Sequence, residues 1–291
     1  MKKKLITLAA FLCCTIIAWA LDIQSNRNQT FDIVLGNVQY AHHNEKLSAG
    51  DAIGKMLTGM ATGQVSVQAT KYEGDVKTAI VKGLSGAYRF RYNDALLTDK
   101  SVKEGDLVVD AVITNIQSKS SSRTWKDSKK RTQVTTTYTG IAETMLTIKD
   151  AKTGDVIANP TMSGKGTAGS SYSTSDQAIR DAINRMADRI TDWLNKYRPI
   201  QANIIEGATA KKDKQKEVYI DLGENEGAFA GLHMSVFLVK SVAGREAKTQ
   251  IGKLKIEAVE GENVSRCKVQ SGGKDIKAAL EAGQRLCVVS L

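Results

Sequence analysis

Residues 105–119, GDLVVDAVITNIQSK, place Leu107, Val109, Ala111, Ile113 and then Asn115 at every second position. Side chains of a strand alternate between faces, so this period predicts a strand with one face in a core. Residues 132–164, TQVTTTYTGIAETMLTIKDAKTGDVIANPTMSG, are rich in Thr, Val and Ile, whose branched side chains suit a pleated surface. Within them KDAKTGDVI has the polar residues and glycine of a tight turn. The intervening SKSSSRTWKDSKKRTQ, residues 118–133, therefore joins two long strands, and we read it as a hairpin loop rather than a helical recognition surface.

Downstream, residues 174–197 carry the best helix signal, TSDQAIRDAINRMADRITDWLNKY. Thr174 with Gln177 forms a capping box, in which the hydroxyl accepts from the third helical amide and the glutamine reaches back. Ile179, Ile183, Met186, Ile190, Trp193 or Leu194, and Tyr197 form a stripe at spacings of three and four, with Arg180, Asp181, Arg185, Asp188, Arg189 and Asp192 largely off it. Such a helix must cover a sheet or another helix, and Arg198-Pro199 ends it.

Upstream, TFDIVLGNVQYA at 30–41 reads as a strand of imperfect alternation, and SAGDAIGKMLTGMATG at 48–63 as a weak, glycine-laden helix. In YEGDVKTAIVKGLSGAYRF, Val76, Ile80, Val81 and Leu84 form a short helical stripe that ends near Gly86 and delivers YRFRY to a sheet edge. After Pro199 the chain breaks into short strand candidates between Gly- and Lys-rich turns, and closure into a small barrel is the economical way to protect their edges.

The first residues address the compartment. Three lysines precede an uncharged run from Leu5 to Trp19, and Ala18-Trp19-Ala20 fits small-residue cleavage, so residues 1–20 read as a secretory signal peptide. Cys13 and Cys14 invite comparison with a lipoprotein signal, but Leu12 and Cys13 serve poorly as the small residue before a modified cysteine. Removal of the signal shortens the chain from 291 to 271 residues and lowers the formal charge from +10 to +7. A mature chain of that length accommodates one sizeable core and a smaller one, and no other apolar run is long enough for a helical membrane span. Export argues against a nucleic-acid partner.

No catalytic, cofactor-binding or metal-ligating set emerges. His42 and His43 lack the one-turn spacing of a helical zinc pair, and His233 stands apart. SGKGTAGSS at 163–171 departs from a phosphate loop because Gly166 follows the lysine, so we read it as a loop or strand connection. Asp106 and Asp110 sit on alternating strand positions and read as an edge or face change, not an acid pair. Cys267 and Cys287 occupy candidate strands taken as neighbours, where an antiparallel pairing and an oxidising compartment allow a disulfide, two buried thiols being the alternative.

The segments GDLVVDAVITNIQSK, YTGIAETMLTIKDAKTGDVI and SDQAIRDAINRMADRITDWL, in that order, resemble the curli secretion-channel (CsgG-like) family. Its wider fold group includes the lipoprotein activators of penicillin-binding proteins and the amino-terminal domain of TolB. The likeness spans roughly residues 31–197 and implies an α/β fold, a mixed sheet with packed helices, and no enzymatic activity. Channel members contribute membrane-crossing hairpins, but the hairpin here is too densely charged for lipid-facing positions. The segments VYIDLGENEGAFAGLHMSVFLVK, IGKLKIEAVE and LEAGQRLCVVSL resemble the terminal β domain of flagellar assembly protein T, with Gly227 and Gly231 at turn positions, which implies a small SH3-like barrel. The expected organisation is a signal peptide at 1–20, a CsgG-like and TolB-N-like α/β domain at 21–198, and a small β-barrel domain at 199–291.

The expected function is a non-enzymatic envelope assembly or scaffold protein, periplasmic or outer-membrane-associated, acting with an envelope protein partner or by self-assembly. Lys119, Arg123, Trp125, Lys126, Lys129, Lys130 and Arg131 are candidate contacts for an anionic glycan or lipid headgroup. The alternatives are a soluble glycan-binding or peptidoglycan-synthase-activating module, with Trp125 and Tyr138 as glycan contacts, and an unrecognised hydrolase.

Overall fold

The alternating stretch from Leu107 forms one half of a long antiparallel ladder in the computed structural model, which describes residues 28–40, 69–98, 101–166 and 174–291. These residues divide into two units, 31–194 and 28–30 with 195–291. The fold is mixed α/β with packed helices in the first unit and a closed six-stranded β-barrel in the second. The helix expected at 48–63 and the pair His42 and His43 lie outside the described residues.

The first unit contains β1 (Phe31–Tyr40), α1 (Glu73–Ser85), β2 (Phe90–Tyr92), β3 (Leu107–Lys126), β4 (Thr132–Asp150), β5 (Val156–Ala158), β6 (Thr161–Lys165) and α2 (Ser175–Tyr197). The sheet runs β2-β1-β3-β4, with β5 and β6 both pairing with β4. Strand β1 is parallel to β2 and β3, and the remaining pairs are antiparallel. YRFRY lies at the sheet edge, and Leu107, Val109, Ala111 and Ile113 face the core as their period requires.

Helix α2 starts where Thr174 Oγ1 accepts from Gln177 N at 3.3 Å, the first half of the capping box. Ile179, Ile183, Met186, Ile190 and Leu194 are buried, and by transfer energies five such side chains contribute on the order of 10 kcal/mol. That is comparable to the whole stability of a domain before the entropy of ordering the chain is subtracted. Tyr197, expected on the stripe, is exposed, because the helix has reached its last turn. Tyr72 and Lys71, just before α1, both meet Asp176 in the first turn of α2, at 2.7 and 2.6 Å. Burial and then the hydrogen bond to Asp176 push the Tyr72 phenol up to about 12, so it is the donor at neutral pH.

The closest approach of α2 to its neighbours runs over glycines. A Cβ at Gly140 of β4 would overlap the carbonyl of Ala178, and one at Gly164 of β6 would overlap that of Ala182. At Gly83 of α1 it would lie 2.7 Å from the carbonyl oxygen of Ala187. Gly164 therefore serves contact between a strand and a helix backbone, and the first residues of SGKGTAGSS are β6 rather than a loop. Residues 167–171 of that motif lie outside the described residues.

The imperfect alternation of β1 has a local cause. Its register against β3 shifts between Leu35 and Val38, and the Asp110 carboxylate accepts from Asn37 N at 2.8 Å within that shift while pairing with Lys149 at 2.6 Å. Desolvation raises the Asp110 pKa, yet the bonds from Lys149 and Asn37 hold it below the ordinary carboxylate value. Asp106 is buried and accepts from Asp32 N and Lys103 N, at 2.9 and 2.8 Å. Both carboxylates thus fasten β3 to neighbouring backbone.

The second unit contains β7 (Gln201–Lys211), β8 (Lys214–Ile220), β9 (His233–Val242), β10 (Arg245–Val259), β11 (Ser265–Ser271), α3 (Gly273–Glu281) and β12 (Leu286–Ser290). Six antiparallel strands close in the order β10-β11-β8-β7-β12-β9, so no strand is left at an edge. Gly227 and Gly231 have φ of 82° and 102°, values open to glycine. Helix α3 was not expected; it has only 9 residues and buries Ile276 and Ala279.

This strand order corrects the placement of Cys267 and Cys287 on neighbouring strands, which had allowed a disulfide, because β11 and β12 are not neighbours. Cys267 lies level with Val218 and Ile256, both fully buried, whereas Cys287 lies level with half-buried Asn203 and Phe237. Both are buried free thiols; burial pushes Cys267 up to about 12 and raises Cys287. Alkylation of the denatured, unreduced protein is expected to label both cysteines, and labelling that requires prior reduction would contradict the strand order.

The glycine seats generate a second prediction. Gly164→Ala is expected to destabilise the protein by about 3 kcal/mol or more, since a backbone carbonyl must be displaced. Gly74→Ala, on α1 with open space at the Cβ, is expected to add about 0.5 kcal/mol of stability through helix propensity. Denaturant midpoints of the two variants check both signs.

Candidate functional site

The basic segment is mostly strand. Strand β3 continues to Lys126 and β4 begins at Thr132, so only Asp127–Arg131 form the turn. The hairpin loop expected over residues 118–133 is thus a ladder extending from the rung Ser118–Gly140 to the rung Lys126–Thr132. The first turn of α2 lies over the base rung: Gly140 is in contact with Ala178, and Ser118 Oγ is 2.6 Å from Ser175 Oγ. The helix starts there, and past that point the hairpin is largely exposed and meets no other element among the described residues. Eight further rungs at about 3.4 Å per residue make an arm about 27 Å long.

The arm has open edges. Pairing of β1 with β3 ends at Tyr40–Ile113, and pairing of β6 with β4 ends at Ile141–Lys165. Beyond those rungs the outer backbone groups of both strands meet no other strand among the described residues. An isolated two-stranded ribbon is marginal in water, and this one is held because it continues a ladder whose lower half is buried.

The turn is built around one carboxylate. Asp127 accepts from Lys129 N at 2.9 Å, Arg131 N at 2.8 Å and Arg131 Nε at 2.9 Å. These bonds, led by that from the Arg131 amide, hold its pKa below the ordinary value. Lys130 takes a φ of 61°, the single left-handed residue that lets the chain reverse.

The register sorts the predicted contacts. Lys119, Arg123 and Trp125 share one face, Lys126 lies on the other, and Lys129 and Lys130 are at the tip. Arg131 is committed to Asp127, so its charge is largely neutralised. Lys119, Arg123, Lys126, Lys129 and Lys130 make no ion pair among the described residues and project a concentrated positive field. Trp125 is 47% exposed and donates its indole N–H to Thr135 Oγ1 at 3.0 Å. Ser121, Arg123, Trp125, Thr135 and Thr137 line an open cleft of about 610 Å³. Of the two candidate glycan contacts, Trp125 and Tyr138, the second lies on the opposite face, five rungs nearer the base. Thr135, Thr137 and Ser121 were missed as site residues because their alignment with Trp125 depends on where the turn is centred.

The barrel has basic residues too, but several are matched. Arg266 meets Glu260 at 2.8 Å and Glu217 and Glu257 at 3.5 Å, and Lys274 meets Asp213 at 2.8 Å. His233 is exposed with Nδ1 3.1 Å from Gln270 Oε1. Among the described residues no three His, Cys, Asp or Glu side chains gather as a metal site, and no helix is long and apolar enough to cross a membrane.

No family model matches the sequence, and no curated protein matches it. Similar solved structures include the hypothetical protein CT253 from Chlamydia trachomatis, at 10% identity over 58% of this chain and 95% of that one, with a TM-score of 0.29. A PelC dodecamer from Paraburkholderia phytofirmans matches at 11% identity over 56% of this chain and 89% of its own, with a TM-score of 0.27. Lipoprotein GNA1162 from Neisseria meningitidis matches at 10% identity over 57% and 97%, with a TM-score of 0.21. Likenesses this weak carry no inference about family, partner or activity.

Loss of the Asp127 carboxylate is expected to loosen the turn. Trypsin cleavage between Lys126 and Arg131 should be several-fold faster in Asp127→Ala than in the parent, as followed by mass spectrometry of the nicked chain; equal rates would show that the carboxylate does not hold the turn.

Proposed function

We propose that this chain is an exported, non-enzymatic assembly or scaffold protein of the cell envelope, periplasmic or outer-membrane-associated, with a CsgG-like and TolB-N-like α/β unit followed by an SH3-like barrel. The observation that carries this reading is the arm: a two-stranded projection with five cations unpaired and two edges open among the described residues, standing beyond the first turn of the helix that covers the sheet. Such a projection offers contact area, backbone hydrogen-bonding groups and long-range attraction while adding little to the core. The amino-terminal signal pattern supplies the compartment, and a scaffold acting there needs surfaces rather than a reacting centre. In this reading the arm engages an envelope protein or a second copy of the chain, and its charge draws in an anionic envelope component.

The test is crosslinking in intact cells, with a photoreactive residue at Thr137 on the arm, at Asn184 on the exposed side of α2, or at Lys240 on the barrel. Adducts are expected to concentrate at Thr137 and to fall at least tenfold when Lys119, Arg123, Lys126, Lys129 and Lys130 are all changed to Gln. Equal adducts from the three positions, or adducts indifferent to the five changes, would contradict the proposal.

A further inference from the structure

We propose that the arm face bearing Lys119, Ser121, Arg123 and Trp125 binds a linear, carboxylate-bearing polysaccharide. This inference rests on the reading of the arm as the contact element and names the chemistry it would recognise. Alternation along β3 and the register with β4 bring Lys119, Ser121, Arg123 and Trp125 onto the same face as Thr139, Thr137, Thr135 and Gln133. Three kinds of recognition stand in one row. Trp125 presents aromatic surface to the C–H groups of a sugar ring, and its tie to Thr135 keeps the indole anchored against the sheet while 47% of the residue stays exposed. Ser121 and Thr139 offer hydroxyls that both donate and accept, and Thr137, whose hydroxyl donates to Ser121 O at 3.3 Å, offers an acceptor, matching sugar hydroxyls. Arg123 and Lys119, free of acidic partners among the described residues, supply the opposite charge for carboxylates.

The spacing favours an extended ligand. Same-face residues recur about every 7 Å along a strand, so Lys119 to Trp125 spans about 20 Å, a straight track for consecutive units of a chain. A lipid surface fits less well. The exposed apolar side chains of the arm are Trp125 and Val134, which occupy opposite faces, and the turn Asp127–Arg131 has no apolar side chain to insert.

The test is calorimetric titration of the full mature chain with oligogalacturonate. Neutral dextran, phosphatidylglycerol vesicles and single-stranded poly(dT) serve as competing classes. Saturable binding to oligogalacturonate is expected, weakening with salt. Trp125→Ala, which leaves every charge in place, should weaken it at least tenfold; Arg123→Gln with Lys119→Gln should weaken it similarly and flatten the salt dependence. Lys126→Gln, on the opposite face, should change it less than twofold. The variants are exposed substitutions, and unchanged far-ultraviolet circular dichroism verifies their folding. Oligogalacturonate binding that ignores Trp125→Ala, or equal loss in Lys126→Gln, would overturn the assignment of the face. Equal or tighter binding of dextran, vesicles or poly(dT) would overturn the assignment of the ligand. If oligogalacturonate fails to bind while crosslinks at Thr137 persist in cells, this inference falls and the scaffold reading stands; loss of both removes the arm from function altogether.

Discussion

The carbonyls of Ala178 and Ala182 rest over Gly140 and Gly164, and the sheet unit is arranged around that contact of helix backbone with strand backbone. A methyl group at either glycine would lift α2 away from β4 and β6, opening gaps along a stripe of five buried apolar side chains. Close seating is what lets Ile179, Ile183, Met186, Ile190 and Leu194 interdigitate with Leu107, Val109, Ala111, Ile113, Leu146 and Ile148. The same proximity sets α2 against α1, where Gly83 admits the Ala187 carbonyl and Thr191 Oγ1 donates to Gly83 O at 2.8 Å.

The position of the helix start then divides the β3–β4 ladder into two parts of different character. Toward the core, alternate residues of both strands are buried in the cluster that α2 shares. Past Ser118–Gly140 no helix follows among the described residues, and the composition changes to Ser, Thr, Lys and Arg, which solvate both faces while keeping strand geometry. The arm is therefore a continuation of the most deeply fixed ladder in the unit, and a rigid base is what makes a solvated ribbon useful as a contact element.

Much of the sheet unit was legible because its signals are local. The period of two in β3, the cap at Thr174 and the stripe of α2 depend only on neighbouring residues. What sequence reasoning missed depends on residues far apart. The shift in β1 is held by Asp110 from another strand, so TFDIVLGNVQYA appears irregular by itself. Gly164 suggests a loop until the Ala182 carbonyl above it is known. Cys267 and Cys287 read as neighbours in chain order, but closure of the barrel inserts other strands between them on both sides. Helix α3 is too short, with its two buried positions, for periodicity to distinguish it from a turn.

The site was legible as a composition and illegible as a surface. Six cations around Trp125 are evident in the sequence, but which of them share a face depends on β3 continuing as a strand to Lys126, and Asp127 neutralises one of them. Tyr138, a candidate glycan contact together with Trp125, falls on the opposite face because the register pairs it with Ser120. The measurement that tests this account most directly is residue-resolved amide hydrogen exchange along the β3–β4 ladder of the free protein. We expect strong protection from Leu107 to Ile113 and from Ala142 to Ile148, falling sharply beyond the rung Ser118–Gly140. Protection that is uniform out to Lys126–Thr132, or weak through the helix-covered rungs, would contradict it.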